Sequence, residues 1–141
     1  MNYKPETKYT IETKIAVKST ETVYKLAEEW ANETEEHLIL LGCDNRLNLI
    51  IKKEVASGSH DTCTIPTLKI FRELILSNCS QFFLIHNHPA GNPEPSIEDM
   101  IFTSKAINQG KIMEIKLCDH IVVAKNGFFS IRYEKPDMWK I

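Results

Sequence analysis

The sequence predicts an α/β or α+β domain in which helices pack on a sheet. Short apolar runs, typical of buried strands, alternate along the chain with longer stretches of helical periodicity. A length of 141 residues suits one buried core and therefore a single domain. Because 43% of the residues are hydrophobic and 26% are charged, the composition is that of a folded globular protein.

The first half of the chain is predicted to form a strand, a helix and a two-stranded hairpin. Alternating apolar residues indicate the strand, and apolar residues spaced three or four apart after a capping hydroxyl indicate the helix. The apolar run HLILLGC has strand length, and the polar triplet after it is typical of a turn. In chain order, we expect a strand over 10–18, a helix from a cap at Ser19 or Thr20 to about residue 33, and antiparallel strands over 37–43 and 47–55.

The second half is predicted to form two helices, a buried strand and a final hairpin. Pro66 suits the first turn of a helix whose apolar face carries Leu68, Phe71, Leu74 and Ile75. Glycine commonly ends a helix, and an Asn-Gly pair favours a tight hairpin turn. We expect helices over 66–77 and 96–109 (the second stopped by Gly110), a strand over 81–86, and hairpin strands over 113–124 and 128–133.

Charge and cysteine usage argue against several classes of protein. A formal charge of -2 and a pI near 6.2 provide no basic surface, so we do not expect direct nucleic-acid binding. The four cysteines form no C-x-x-C pair, which argues against a zinc ribbon and favours free thiols. The first ten residues are polar and the apolar runs are too short to span a bilayer, so we expect a cytoplasmic protein without a membrane partner.

The segment HNHPAGNPEPSIED, residues 86–99, contains the chemistry of a metal site. His86 and His88 are two residues apart, so on a strand both point to one face, and Pro89 ends strand pairing directly after them. Asp99 follows in the first turn of the next predicted helix. Two histidines, a carboxylate and an open fourth position make up the ligand set of a catalytic zinc ion.

A simpler interpretation of the same residues remains open at this point. Ser96 with Glu98 and Asp99 also forms a helix N-cap in which acidic side chains complement the helix dipole. Asp119 and His120 have two interpretations as well, either a pair that orients a metal ligand or an ordinary buried histidine and its neighbour.

The H-N-H string is not the dispersed motif of HNH nucleases, and zinc deaminases require H-x-E with a later P-C-x-x-C.

The pattern H-x-H-P, then G, then P-S-x-x-D resembles the JAMM motif of the MPN/JAB metalloprotease superfamily, in particular its RadC branch. Segments 36–50, 57–59 and 117–123 resemble that branch as well, and together the similarity covers about residues 20 to 133. It implies a JAB/MPN-like, cytidine-deaminase-like mixed sheet flanked by helices. We expect the chain to consist of a polar N-terminal segment over 1–9, the JAB/MPN-like domain over 10–134 and a C-terminal tail over 135–141.

The resemblance also implies roles for particular residues. His86, His88 and Asp99 would bind Zn²⁺, and Ser96 would donate a hydrogen bond to the tetrahedral intermediate. Glu36, before the first apolar strand, would act as the base on the metal-bound water. Glu35 and Glu54 compete with Glu36 for that role.

The function implied is a zinc-dependent metallohydrolase that cleaves peptide or isopeptide bonds in a peptide or protein substrate. The alternatives are a non-catalytic accessory protein associated with DNA repair and an MPN-like interaction module. The chain departs from the RadC branch at Pro66-Thr67-Leu68, where a P-R-E triplet is usual, and at Gly58-Ser59, where Gly-Thr is usual. The branch's helix-hairpin-helix-like N-terminal region is not expected here.

Overall fold

The computed structural model describes residues 7–8, 15–58 and 65–140. A mixed six-stranded sheet forms the centre, with the strand order β1-β3-β2-β4-β5-β6. Among the described strands, β4 and β5 pair in parallel, and the other neighbouring strands are antiparallel. The strands are β1 (Thr7–Lys8), β2 (Glu36–Cys43), β3 (Leu49–Gly58), β4 (Gln81–Asn87), β5 (Lys116–Ala124) and β6 (Gly127–Ser130).

Helices cover both faces of this sheet, which confirms the predicted α/β class. One apolar cluster joins α2 and α3 to the sheet, and a second cluster joins α1 to the opposite face. The α-helices are α1 (Thr20–Ala27), α2 (Thr67–Leu76), α3 (Ile97–Met113) and α4 (Ile131–Glu134), and short 3₁₀ helices span Glu28–Trp30 and Pro136–Trp139. None of the helices that the structure describes is long and apolar enough to span a bilayer.

The sheet topology brings the start of β2 to the end of β4. These strands are antiparallel, with Leu38 paired to His86, so continuing the register by two residues sets Glu36 opposite His88. Helix α3 connects the parallel strands β4 and β5, and it begins on the same side of the molecule as the end of β4. Side chains from β2, β4 and the first turn of α3 therefore meet at one edge of the sheet.

The N-terminal elements differ from the prediction where the structure describes them. Residues 10–14 of the expected first strand lie outside the described residues, and in the remainder Ala16 makes an isolated bridge to Asn48. Ser19 is the cap of α1, since its hydroxyl oxygen accepts the Thr22 N–H at 3.2 Å. The helix ends at Ala27 and tightens into a 3₁₀ turn, so the prediction that it extends to about residue 33 was wrong.

Two predicted helix faces are also corrected. In α2, Ile70 is buried whereas Leu68 and Ile75 are 64% and 52% exposed, because the helix is rotated about its axis relative to the prediction. Gly110 does not stop α3, which continues to Met113. A Cβ at position 110 would lie 2.4 Å from the carbonyl oxygen of Ile115, so glycine allows two backbones to approach closely.

The final hairpin is shorter than predicted on both strands. Strand β5 begins at Lys116 instead of residue 113, because α3 extends to Met113 and is capped at Glu114. Strand β6 ends at Ser130, whose hydroxyl oxygen accepts the Tyr133 N–H and caps α4. In the segment predicted as a tail, the indole N–H of Trp139 donates to the carbonyl of Leu117 at 2.8 Å.

Candidate metal centre

Three polar side chains converge at the end of β4. The Nε2 atoms of His86 and His88 are 2.9 Å apart, and Asp99 Oδ2 lies 3.2 Å from the first and 3.0 Å from the second. A tetrahedral zinc ion with bonds of about 2.0–2.1 Å holds its ligand atoms roughly 3.3 Å apart. The two nitrogens and one oxygen therefore form a triangle slightly smaller than one face of a zinc tetrahedron.

Local sequence places each of these side chains. His86 and His88 project from the same side because side chains alternate along a strand, and the His88 N–H donates to the carbonyl of Val123 at 2.9 Å. Asp99 is fixed by a capping box, in which the Ser96 N–H donates to its Oδ2 at 2.8 Å and the Ser96 hydroxyl oxygen accepts its N–H at 3.1 Å. The cap and the metal ligand are therefore compatible roles of one aspartate.

A buried chain of hydrogen bonds fixes which nitrogen of His86 carries the proton. The Thr103 hydroxyl donates to the backbone carbonyl of Asp99 at 2.7 Å, so its oxygen accepts from His120 Nδ1 at 2.5 Å. His120 Nε2 then accepts from His86 Nδ1 at 2.7 Å. The lone pair of His86 is consequently on Nε2, directed at His88 and Asp99.

The environment of His120 keeps its imidazole ring neutral. The hydrogen bonds described above require this, because in them one ring nitrogen donates and the other accepts. His120, Thr103 and His86 are all fully buried. Burial first, and then the positive charge that His86 can carry, hold the pKa of His120 well below its usual value. A neutral imidazole has one donor and one acceptor nitrogen, which matches its two partners.

His88 has its proton fixed in the same way. Its Nδ1 lies 3.0 Å from the backbone oxygen of Asn92, which can only accept, so Nδ1 carries the hydrogen and Nε2 the lone pair. Two nitrogen lone pairs and a carboxylate oxygen thus face one another, an arrangement that a cation stabilises. Burial disfavours charge on His88, but the protonated ring donates to both Asp99 and Asn92, and these hydrogen bonds prevail and raise its pKa. Without a metal, a proton stabilises the triangle instead.

The Asp99 carboxylate stays ionised in this setting. Burial alone would favour the neutral acid, but the hydrogen bonds that the His86 and His88 rings donate once they are protonated, together with the Ser96 N–H, outweigh it and hold the pKa of Asp99 well below its usual range. Two imidazole nitrogens and an ionised carboxylate are ligands that suit Zn²⁺. The chemistry of the donor set therefore fits the predicted ion.

Glu36 adjoins the same cluster. One ligand atom each from Glu36, His86 and His88 lie within 4.8 Å of one another. Of its two competitors, Glu35 is exposed, and Glu54 contacts the ring of His37, which points to the other face of β2. Of these three glutamates, Glu36 is therefore the one whose carboxylate lies beside both histidines.

A cleft of about 520 Å³ gives access to this cluster, and its lining includes Thr34, Glu36, His88, Asn92 and Glu94. The side chain of His88 is 16% exposed, whereas that of His86 is fully enclosed. A molecule in the cleft would therefore approach from the side of Glu36 and His88.

The remaining predicted site residues are Ser96, Asp119 and His120, and they differ in their distance from the cluster and in their contacts. Ser96 is exposed, and its oxygen accepts the cap hydrogen bond while its own hydrogen can still be donated. The Asp119 carboxylate accepts from the Ser130 hydroxyl and the Arg132 N–H, so it supports the corner between β6 and α4. Burial, partly offset by these hydrogen bonds, raises the pKa of Asp119. The ring of His120 is thus the member of the Asp-His pair that contacts a candidate ligand.

Sequence reasoning missed two residues around the cluster, Thr103 and Asn87. Thr103 lies one helical turn after Asp99 on the buried side of α3, and a polar residue on that face was the available signal. Asn87, which lies between the two histidines in the sequence, is fully buried. Its carboxamide forms hydrogen bonds with the backbone of His37 and Glu35 at the start of β2.

Comparison with known proteins identifies the family. Residues 17–136 match the model of the RadC-like JAB domain. A UPF0758 protein of Thermotoga maritima is 34% identical over 116 residues, which cover 82% of this chain and 52% of the relative. UPF0758 proteins of Enterococcus faecalis and Methanococcoides burtonii are 34% and 30% identical, covering 82% and 89% of this chain and 50% and 56% of the relatives. The chain spans about half the length of these curated relatives, and it belongs to the RadC-like JAB domain family.

Proposed function

We propose that this chain is a zinc-dependent hydrolase that cleaves a peptide or isopeptide amide bond in a peptide or protein substrate. The observation that carries the proposal is the convergence of two imidazole lone pairs and the Asp99 carboxylate within 3.2 Å, beside Glu36 and an open cleft. When bound there, Zn²⁺ supplies a Lewis acid for the carbonyl and lowers the pKa of a water molecule to about 7.

His86, His88 and Asp99 would hold the ion. The Nε2 lone pairs of both histidines are set by hydrogen bonds at Nδ1, so these rings need no change of tautomer to bind it. Asp99 is 2% exposed and already ionised, which preserves its negative charge for a cation. Zinc is chosen over harder cations because imidazole nitrogen is a preferred ligand of zinc.

Glu36 would move the proton that amide hydrolysis requires. Its carboxylate is half-buried at the first residue of β2 and lines the cleft next to His88. It accepts a proton from the attacking water and delivers it to the leaving nitrogen, because an amide nitrogen leaves readily only once it is protonated. Ser96 would donate its remaining hydrogen to the developing oxyanion.

The test combines metal analysis with a matched pair of variants. Zinc per chain is measured by elemental analysis, and cleavage of a peptide and isopeptide library is measured with and without chelator. Glu36→Gln should retain zinc and lose about 10²–10⁴-fold in kcat. Glu54→Gln, the same change on β3 beside the ring of His37 at the opposite face of the sheet, should retain both properties. A zinc-free wild-type protein, or Glu36→Gln with wild-type activity, would overturn the proposal.

This assay also distinguishes the proposed hydrolase from the two non-catalytic alternatives, because an accessory protein or an interaction module would show no chelator-sensitive cleavage.

The cytoplasm is the compartment we propose. In the described part of the chain Cys43, Cys79 and Cys118 are free thiols, which suits a reducing environment. Fractionation of the native host would test this, and recovery in a secreted fraction would contradict it.

A further inference from the structure

The carboxamide of Asn87 bridges β4 to the start of β2. Asn87 lies between the two histidines on the strand, so its side chain points to the opposite face, where it is fully buried. Its Oδ1 accepts the His37 N–H at 2.6 Å, and its Nδ2 donates to the Glu35 carbonyl at 2.8 Å. The two backbone groups that it holds lie on either side of Glu36.

The Asn87 carboxamide links β2 to β4 at the point where the pairing of these two strands ends. Regular pairing between β2 and β4 stops at Leu38 and His86, and the next amide after β4, that of His88, bonds to Val123 on β5. Within the described residues, no pair of the β2–β4 register follows Leu38 and His86, and the side chain of Asn87 connects the two strands there. A carboxamide suits this position because it offers an acceptor and a donor, as a peptide group does.

We propose that Asn87 is a positioning residue for Glu36. By fixing the main chain on both sides of Glu36, it directs the carboxylate toward the Nε2 atoms of the two histidines. This inference rests on the proposed function, in which Glu36 moves the proton. Asn87 itself points away from the metal-binding triangle, so it acts through Glu36.

The principal variant is Asn87→Ser, which is too short to reach both backbone groups. Partners that orient a catalytic group typically contribute 10–100-fold to activity, so kcat should fall by about that factor with zinc content and KM unchanged. Asn87→Asp keeps the shape and the acceptor for His37 but sets a carboxylate oxygen against the Glu35 carbonyl. Its kcat should fall as well, and it serves as the second variant if the cavity left by serine prevents folding.

A double variant separates positioning from a general loss of structure. If Asn87 acts through Glu36, adding Asn87→Ser to Glu36→Gln should reduce kcat no further, whereas a merely structural role would lower both backgrounds equally. Additive losses would therefore overturn the inference while leaving the proposed function in place. A wild-type protein that cleaves no amide substrate would instead overturn the proposed function.

Hydrogen exchange supplies a readout that needs no activity. In the metal-free protein the His37 amide should exchange at least tenfold faster in Asn87→Ser than in wild type. The amide of Leu40, inside the regular β2–β4 pairing, should keep its protection. Unchanged exchange at His37 would show that Asn87 does not fix this segment, and the inference would then be wrong.

Discussion

Replacing Thr103 by valine tests whether the buried hydrogen-bond chain controls metal binding. The substitution conserves shape and removes the hydroxyl that accepts from His120 Nδ1 and donates to the Asp99 carbonyl. Thr103 and His120 are both fully buried, so water cannot replace the lost partner. His120 must then either keep a donor without an acceptor or move its proton to Nε2.

Both outcomes have a defined energetic consequence. An unsatisfied buried donor costs about 1–3 kcal/mol of stability. If the proton moves to Nε2, His120 can no longer accept from His86, and His86 must carry its own proton on Nε2, where the metal would bind. Zinc binding then has to reverse both tautomers. We expect zinc affinity to fall 10–100-fold, the usual effect of removing a partner of a metal-binding histidine, and the metal-free protein to lose about 1–3 kcal/mol.

Competition with a chromogenic chelator measures the affinity, and denaturant titration of the metal-free protein measures the stability. Thr67→Val is the matched control, because Thr67 is also a buried threonine, and its hydroxyl donates to Gln109 between α2 and α3. It should lose stability and keep zinc affinity. Nitrogen chemical shifts of the histidine rings report the tautomers directly. Wild-type zinc affinity in Thr103→Val would refute the reasoning.

Two further predictions concern residues away from the cluster. Gly110→Ala should lower the free energy of unfolding by roughly 1–3 kcal/mol, although alanine normally favours a helix, because its Cβ would lie 2.4 Å from the Ile115 carbonyl oxygen; an increased denaturation midpoint would contradict this. Burial, followed by the charge of Asp44, raises the pKa of Cys79 from 9.0 to about 11. Stability linked to this thiol is therefore complete below pH 9 and lost as the pH rises through about 11. Alkylation of Cys79 followed by mass spectrometry should have its midpoint near that upper value, and a midpoint near 9 would refute the prediction.

The candidate ligands could be predicted because their geometry is local. The alternation of a strand places His86 and His88 on one face, and the cap of α3 places Asp99 in the first helical turn. Glu36 was found through the family resemblance, since fifty residues separate it from His86 in the sequence. Its position depends on the antiparallel register of β2 and β4, and strand pairing across that separation is not encoded in local periodicity.

The supporting residues could not be predicted, for a similar reason. His120 reaches His86 only because β5 lies parallel to β4 with Leu84 opposite His120, so that two rings on neighbouring strands meet diagonally. The prediction of buried and exposed helix faces was wrong where a helix carries apolar residues on all of its sides. Leu68 in α2 is apolar yet exposed, and composition alone does not reveal which side of the helix packs on the sheet.

The cap and ligand interpretations of residues 96–99 are two parts of one arrangement. Ser96 holds one lone pair of Asp99 Oδ2 through its backbone N–H and leaves that oxygen directed at His86 and His88. His86 is held at Nδ1 by His120, and His88 is held there by the Asn92 carbonyl. Each of the three candidate ligands thus has a hydrogen bond to a group outside the triangle, so an ion bound there would require little rearrangement. We therefore expect that residues which never touch the ion would change the affinity of this site by 10–100-fold.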